Sequence, residues 1–285
     1  MNAVTRWFTA PVPKGRIAAF RTVIYLFVAA DPVFFTQWVR EHADVPGSLY
    51  RPLLIGRLLP LPTPTHLLVT VVFWVLVVAA LAAATGRAPR ILGWTVFALY
   101  FEWMIIAMSY GKVDHDRFDL LVALAVLPVA GAARHGDRTL SERAGWALRV
   151  TQVAVVATYF LSTWAKFRFG GLGWLTSAVM TRAVLRRGTV FSMWTTHVPY
   201  LLVVMQFLIV AFELTTPLVF FWPGWKKYVH VAVMYAFHVM VFVAVTISFV
   251  PHLFAMTSFL PLERVRPVGW LRRALSRRPE PASTG

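Results

Sequence analysis

Apolar runs about as long as a bilayer is thick recur along this chain, and they leave few folds open to it. A helix needs about 20 apolar residues to cross the hydrocarbon core. Eight stretches approach that length: 17–38, 66–84, 91–110, 118–133, 146–167, 198–222, 228–247 and a shorter one at 251–262. Inside lipid every backbone donor and acceptor must be paired within the protein, which runs of this length achieve as helices. The pattern predicts an all-α, polytopic transmembrane helical bundle of about eight membrane helices, with six as the fallback. The composition agrees. The 285 residues are 58% hydrophobic and 14% charged, whereas a soluble domain averages about 45–50% and about 25%.

The formal net charge of +16 would suit a nucleic-acid binder, but its placement argues against one. The basic residues fall in the connections and in the tail, where membrane proteins carry topology signals. Arg6, Lys14 and Arg16 precede the first run. Arg87 and Arg90, then Arg134, Arg138, Arg143 and Arg149, then Lys226 and Lys227, fill alternate connections. These connections should share the cytoplasmic side. The tail, basic from Arg264 onward, should join them, which requires an even number of crossings of the cell membrane. No cleavable leader is expected. Two units follow: a transmembrane domain at 1–265, and a basic, disordered cytoplasmic tail at 266–285 whose arginines would meet anionic lipid. Cysteine is absent, so disulfides and thiolate metal sites are excluded. No metal-binding motif is visible, and no metal is expected.

On the opposite side, 42–64 reads as a Pro/Gly-rich surface loop. Residues 178–187 place Arg182, Arg186 and Arg187 against Val179, Met180, Ala183, Val184 and Leu185. That is an amphipathic helix, lying on the membrane or covering a cavity between the spans.

The polar residues within the runs are the candidates for chemistry. Lys166 ends the fifth run. A cation at the centre of a bilayer costs roughly 2.5–3.5 kcal/mol, and less near the interface. Snorkelling to the headgroups is one account of it; proton chemistry is the other. Gln152, Tyr159 and Lys166 are spaced by seven and share one helix face, extended by Ser162 and Thr163. Gln152 reads as interhelical packing. Gln206 and Glu213 are also seven apart. His238 falls near mid-membrane, in a structural or a proton-handling role. Lys112 and His115 lie at the depth of Lys166. Arg21 and Glu102 are expected to pair across the first and third spans.

The run Gln152-Val153-Ala154-Val155-Val156-Ala157-Thr158-Tyr159-Phe160-Leu161-Ser162-Thr163-Trp164-Ala165-Lys166, followed by Gly173-Trp174, resembles the core motif of the HTTM family. HTTM is the transmembrane domain shared with vitamin K-dependent gamma-carboxylases. Ala19-Phe20-Arg21, Ser109-Tyr110-Gly111-Lys112-Val113-Asp114-His115, Glu213-Leu214-Thr215-Thr216-Pro217 and Ala236-Phe237-His238 are similar to other segments of that family, in order. The resemblance covers about residues 15–265. It implies a membrane enzyme using reduced vitamin K or menaquinone, an epoxidase or carboxylase-like activity, with Lys166 and His115 as catalytic residues. Lys166 would deprotonate the hydroquinone, since a lysine amine taken out of water gives up its own proton more readily. Tyr159, Trp164, Trp174 and His238 would contact the quinone. The carboxylase adds a large soluble domain that binds its protein substrate. Here about 20 residues follow the last apolar segment, so carboxylation of a protein is not the expected reaction. A second branch, similar to the sporulation-delaying-protein B family, implies a non-enzymatic factor for maturing or exporting a peptide. A transporter is the third reading. The expected partners are the lipid bilayer, a hydrophobic quinone and a peptide or protein substrate, with no nucleic acid.

Overall fold

The structure, a computed structural model, describes residues 1–59 and 61–265. It is almost entirely helical. The helices are α1 (Ala3–Phe8), α2 (Lys14–Phe34), α3 (Leu54–Leu58), α4 (His66–Ala84), α5 (Pro89–Ala107), α6 (Phe118–Val126), α7 (Glu142–Gly170), α8 (Val179–Arg187), α9 (Leu201–Thr215), α10 (Trp225–Val245) and α11 (Val250–Met256). Among the described residues the only sheet is an antiparallel pair, β1 (Val12–Pro13) with β2 (Leu140–Ser141). The predicted tail at 266–285 lies outside the described residues.

Among the described residues six helices are long and apolar enough to cross a membrane: α2, α4, α5 with its closing turn to Tyr110, α7, α9 with its closing turn to Phe220, and α10. Their outer faces are those of a lipid-embedded protein. Leu67, Val71, Trp74, Val75 and Val78 of α4 are exposed, as are Val204, Phe207 and Leu208 of α9 and Val239, Met240 and Phe242 of α10. Such a belt would be unfavourable against water. The chain is therefore a multi-pass membrane protein.

The other two predicted spans are shorter than expected. The fourth is α6 tightened into a 3-10 turn at Leu127–Ala130, where Pro128 removes a donor and Gly131 turns the chain. The last is α11 with a turn at Thr257–Phe259. Both nonetheless lead from one end of the bundle towards the other. Before α6, Arg117 is paired with Asp31 near the end of α2; after it, the Gly131 carbonyl accepts from Arg21 near the start of α2. α11 starts beside Tyr159 and His238, and its chain continues to Glu263, paired with Arg16.

Local chemistry sets the helix bounds. Thr65 caps α4 and Ser141 caps α7 by accepting from the backbone N–H three residues on. Pro89 opens α5. The first span stops at Phe34 instead of 38 because Thr36 donates to the Asp31 carbonyl and carboxylate, turning the chain into a 3-10 segment, Gln37–Asp44. Close packing needs glycine at two places. A Cβ at Gly145 would collide with the Ala10 carbonyl, and one at Gly93 would meet Pro128 and the Tyr25 hydroxyl at 2.8 Å.

The basic connections that the sequence assigns to one side do converge. Lys14 and Gly15 donate to the carbonyls of Thr139 and Asp137, Thr22 donates to the Ala84 carbonyl, and Trp7 of α1 packs against Phe220. We call this the basic end. At the other end α8 forms as predicted. It seats Val184, Met180 and Ala183 against Leu202 of α9 and Val245 of α10, and leaves its arginines exposed. The predicted loop at 42–64 contains a short helix, α3.

Candidate functional site

The face of α7 carrying Gln152, Tyr159 and Lys166 turns inward and meets three other helices at three depths. At the basic end Gln152 donates to the Ser258 carbonyl at 2.7 Å, the interhelical packing role expected of it. One period on, the hydroxyl of Tyr159 shares a 2.7 Å hydrogen bond with Nε2 of His238 in α10. Next to this pair lies a second one. Nδ1 of His252 in α11 is 2.6 Å from Oδ2 of Asp119 in α6, close but poorly aligned for a hydrogen bond. The two imidazoles meet edge to face, 4.8 Å between centroids, and the Tyr159 ring lies 5.0 Å from that of His252. All four side chains are buried. Nδ1 of His238 has no partner among the described residues.

One more period brings Lys166. Its amine donates to both carboxylate oxygens of Glu213 in α9, at 2.5 and 2.7 Å, and to the Ser162 hydroxyl at 2.8 Å. Thr163 donates to Glu213 at 2.5 Å and Ser162 at 3.2 Å, so the carboxylate accepts from three side chains. The pair is nearly enclosed, yet 17% of the Lys166 side chain stays accessible against 6% for Glu213. The Trp174 ring lies 5.5 Å from the Lys166 nitrogen. Snorkelling alone is therefore the wrong account of this lysine: its charge is met inside the bundle.

The loop holding Trp174 is itself clamped. Gln206, one period before Glu213 on α9, donates to the carbonyls of Trp174 and Leu175 at 2.6 and 3.0 Å and accepts from the Met180 N–H at 3.0 Å. The predicted Gln206/Glu213 face thus builds one wall of the site, Glu213 by charge and Gln206 by holding the loop.

The expected site residues divide. Lys166 and Trp174 are brought together. Tyr159 and His238 are brought to each other, about two helical turns deeper. Trp164 is not part of the site, for it turns outward and is 58% exposed. His115 is also exposed; its ring meets Phe249, 6.1 Å between centroids, and no hydrogen bond joins it to Lys166. Lys112 pairs with Asp114 at the surface. The expected Arg21–Glu102 pair does not form. Arg21 donates to the Gly131 carbonyl, whereas both Glu102 oxygens are buried without a partner among the described residues. The buried pair made instead is Asp31 with Arg117, at 2.8 Å, joined by the hydroxyls of Tyr100 and Thr36. The sequence reading missed Asp119 and His252. A lone carboxylate in Phe118-Asp119-Leu120-Leu121 and a lone imidazole in Pro251-His252-Leu253 were the available signals.

No protein-family model, curated protein or solved structure matches this chain.

Proposed function

We propose that this chain is a multi-pass enzyme of the cell membrane, built like the HTTM domain of vitamin K-dependent gamma-carboxylases, and that Lys166 takes a proton from a reduced, lipid-soluble quinone. The observation that carries this reading is an amine bonded to both oxygens of a buried carboxylate and still reachable beside an aromatic ring. An ammonium–carboxylate pair and the neutral amine–acid pair differ by one proton moved along a short hydrogen bond. Glu213 would hold that proton. Rotation about its terminal C–N bond would then turn the Lys166 lone pair from the acid to a hydroxyl approaching past Trp174, while an amine N–H stays on the Glu213 carbonyl oxygen. Ser162 and Thr163 keep both groups in register. Tyr159 and His238, closed on each other, support the site from below. Reduced vitamin K or menaquinone bound against Trp174 would supply the electrons for chemistry with oxygen.

In this reading α6 and α11 count as crossings, giving eight, and the basic end with both termini faces the cytoplasm, as the positive-inside rule requires. Incubating the protein in nanodiscs with reduced menaquinone or vitamin K and oxygen, and assaying quinone epoxide by mass spectrometry, tests the activity. Epoxide is expected from the native chain and not from Lys166→Ala. Folded native protein that makes none would sink the enzymatic reading and leave the peptide-maturation factor as the better one.

A further inference from the structure

The basic end holds a second site, remote from Lys166. Three half-buried cations converge there: Arg16 at the start of α2, Arg149 in the second turn of α7 and Lys227 at the start of α10. Arg149 is within electrostatic reach of Arg16, and Lys227 within reach of both. One carboxylate serves the group, and it is committed. Glu263 accepts from Nε and an Nη of Arg16 at 2.8 and 2.7 Å, a bidentate pair. Among the described residues neither Arg149 nor Lys227 is paired with a carboxylate.

These two cations sit over a row of aromatic rings. Arg149 lies 4.8 Å from the Trp7 ring and Lys227 lies 5.4 Å from the Phe259 ring. Phe220 bridges the row, 5.3 Å from Trp7 and 6.1 Å from Phe259. Ring faces offset part of the cost of an unpaired cation, but like charges gathered at a membrane surface still favour an anion between them. The unmet charge is two positive units, and arginine with lysine is the pairing that takes phosphate oxygens well.

We propose that Arg149 and Lys227, flanked by Arg16, bind the phosphate of an anionic phospholipid headgroup at the basic end of the bundle. The apolar surroundings favour a lipid over a soluble phosphate as its source. Leu218 and Phe221, either side of Phe220 in the chain, are exposed and give the aromatic row an apolar margin. Acyl chains would lie along it while the headgroup meets the charges, as in basic pockets between membrane helices generally.

The test uses the full chain in detergent, titrated with phosphatidylglycerol, phosphatidylcholine or inorganic phosphate, with thermal unfolding and native mass spectrometry as readouts. Phosphatidylglycerol should raise the unfolding midpoint and remain bound where phosphatidylcholine does not. Arg149→Gln with Lys227→Gln should weaken retention roughly tenfold or more, while Arg143→Gln, an exposed arginine at the same end, should keep it. Inorganic phosphate matching phosphatidylglycerol would uphold the phosphate site and assign it a soluble ligand. Equal retention of phosphatidylcholine, or full retention of phosphatidylglycerol by a folded double variant, would overturn the proposal. Should the double variant not fold, the three ligands compared on the native chain decide alone.

Discussion

At the scale of single residues, Lys166 and Glu213 stabilise the fold only as a pair. Removing one partner of a buried ion pair leaves the other unmet and costs about 3–5 kcal/mol, whereas replacing both with apolar groups is often neutral. Glu213→Gln should therefore lower stability by roughly 2–4 kcal/mol, placed slightly lower because Lys166 keeps some access to solvent. Lys166→Met with Glu213→Leu should recover most of that loss. Denaturant titration in detergent reads both; a double variant as unstable as the single one would count against a true pair. Under the proposed function, activity would separate the two residues from mere scaffolding. Lys166→Arg keeps a cation that can pair with Glu213 but cannot release a proton. It should leave the unfolding midpoint near native while abolishing turnover. Tyr159→Phe is the milder change. It removes one buried hydrogen bond to His238 and should cost about 1–3 kcal/mol, because the imidazole nitrogen is left without a partner.

At the scale of elements, the start of α7 is held by backbone proximity and the turn at Leu262–Arg264 by charge. The N-terminal segment lies so close to α7 at Gly145 that no side chain fits against the Ala10 carbonyl. Gly145→Val should displace α1 from α7, costing roughly 1–3 kcal/mol. Limited proteolysis checks this: cleavage near Arg6 should accelerate in the variant, and unchanged cleavage would mean that α1 docks by other contacts. The Arg16–Glu263 pair ties α2 to the turn after α11. The hydrogen bonds from Arg16 hold the Glu263 carboxyl below its ordinary value. A depressed carboxyl stabilises the fold above its unfolded value, about 4.3, and loses that contribution as pH falls through the lower folded value. Glu263→Gln should thus cost about 0.5–1 kcal/mol at neutral pH, a modest amount because solvent screens the pair. The gap between native and variant proteins should close below about pH 4. A gap that stays constant down to pH 3 would assign the cost to shape instead of charge.

At the scale of the whole molecule, the six membrane-length helices join two chemically different ends. One end gathers β1, β2, the basic connections and Glu263; the other gathers α3, α8 and the Lys166–Glu213 pair. The chain has no cysteine, so single cysteines report sidedness cleanly. Arg138→Cys and Arg264→Cys should react with an impermeant reagent from the same side of a vesicle, and Ser48→Cys and Val190→Cys from the opposite side. Labelling of positions 138 and 264 from opposite sides would mean that α11 does not complete a crossing, and labelling of positions 48 and 138 from the same side would mean that α6 does not.

Burial follows directly from composition, so the sequence alone determined the membrane environment, the six long helices within a few residues and the face of α7 that carries polar groups. A seven-residue spacing brings Gln152, Tyr159 and Lys166 onto one stripe in any helix. The same logic identified Gln206 with Glu213. Which stripes would meet was not legible, because partners across helices depend on rotation and depth that local periodicity leaves free. Arg21 and Glu102 share compatible depths in the sequence, yet the packing turns one to the Gly131 carbonyl and leaves the other unpartnered. Asp31 found Arg117 instead. The short elements were hidden for a related reason: prolines and 3-10 turns shortened α6 and α11 inside apolar runs that read as longer spans. Tertiary packing decided that Glu213 neutralises Lys166, that Trp164 faces outward, and that Arg149 and Lys227 lie over aromatic rings at the basic end, since each depends on how segments distant in sequence pack together.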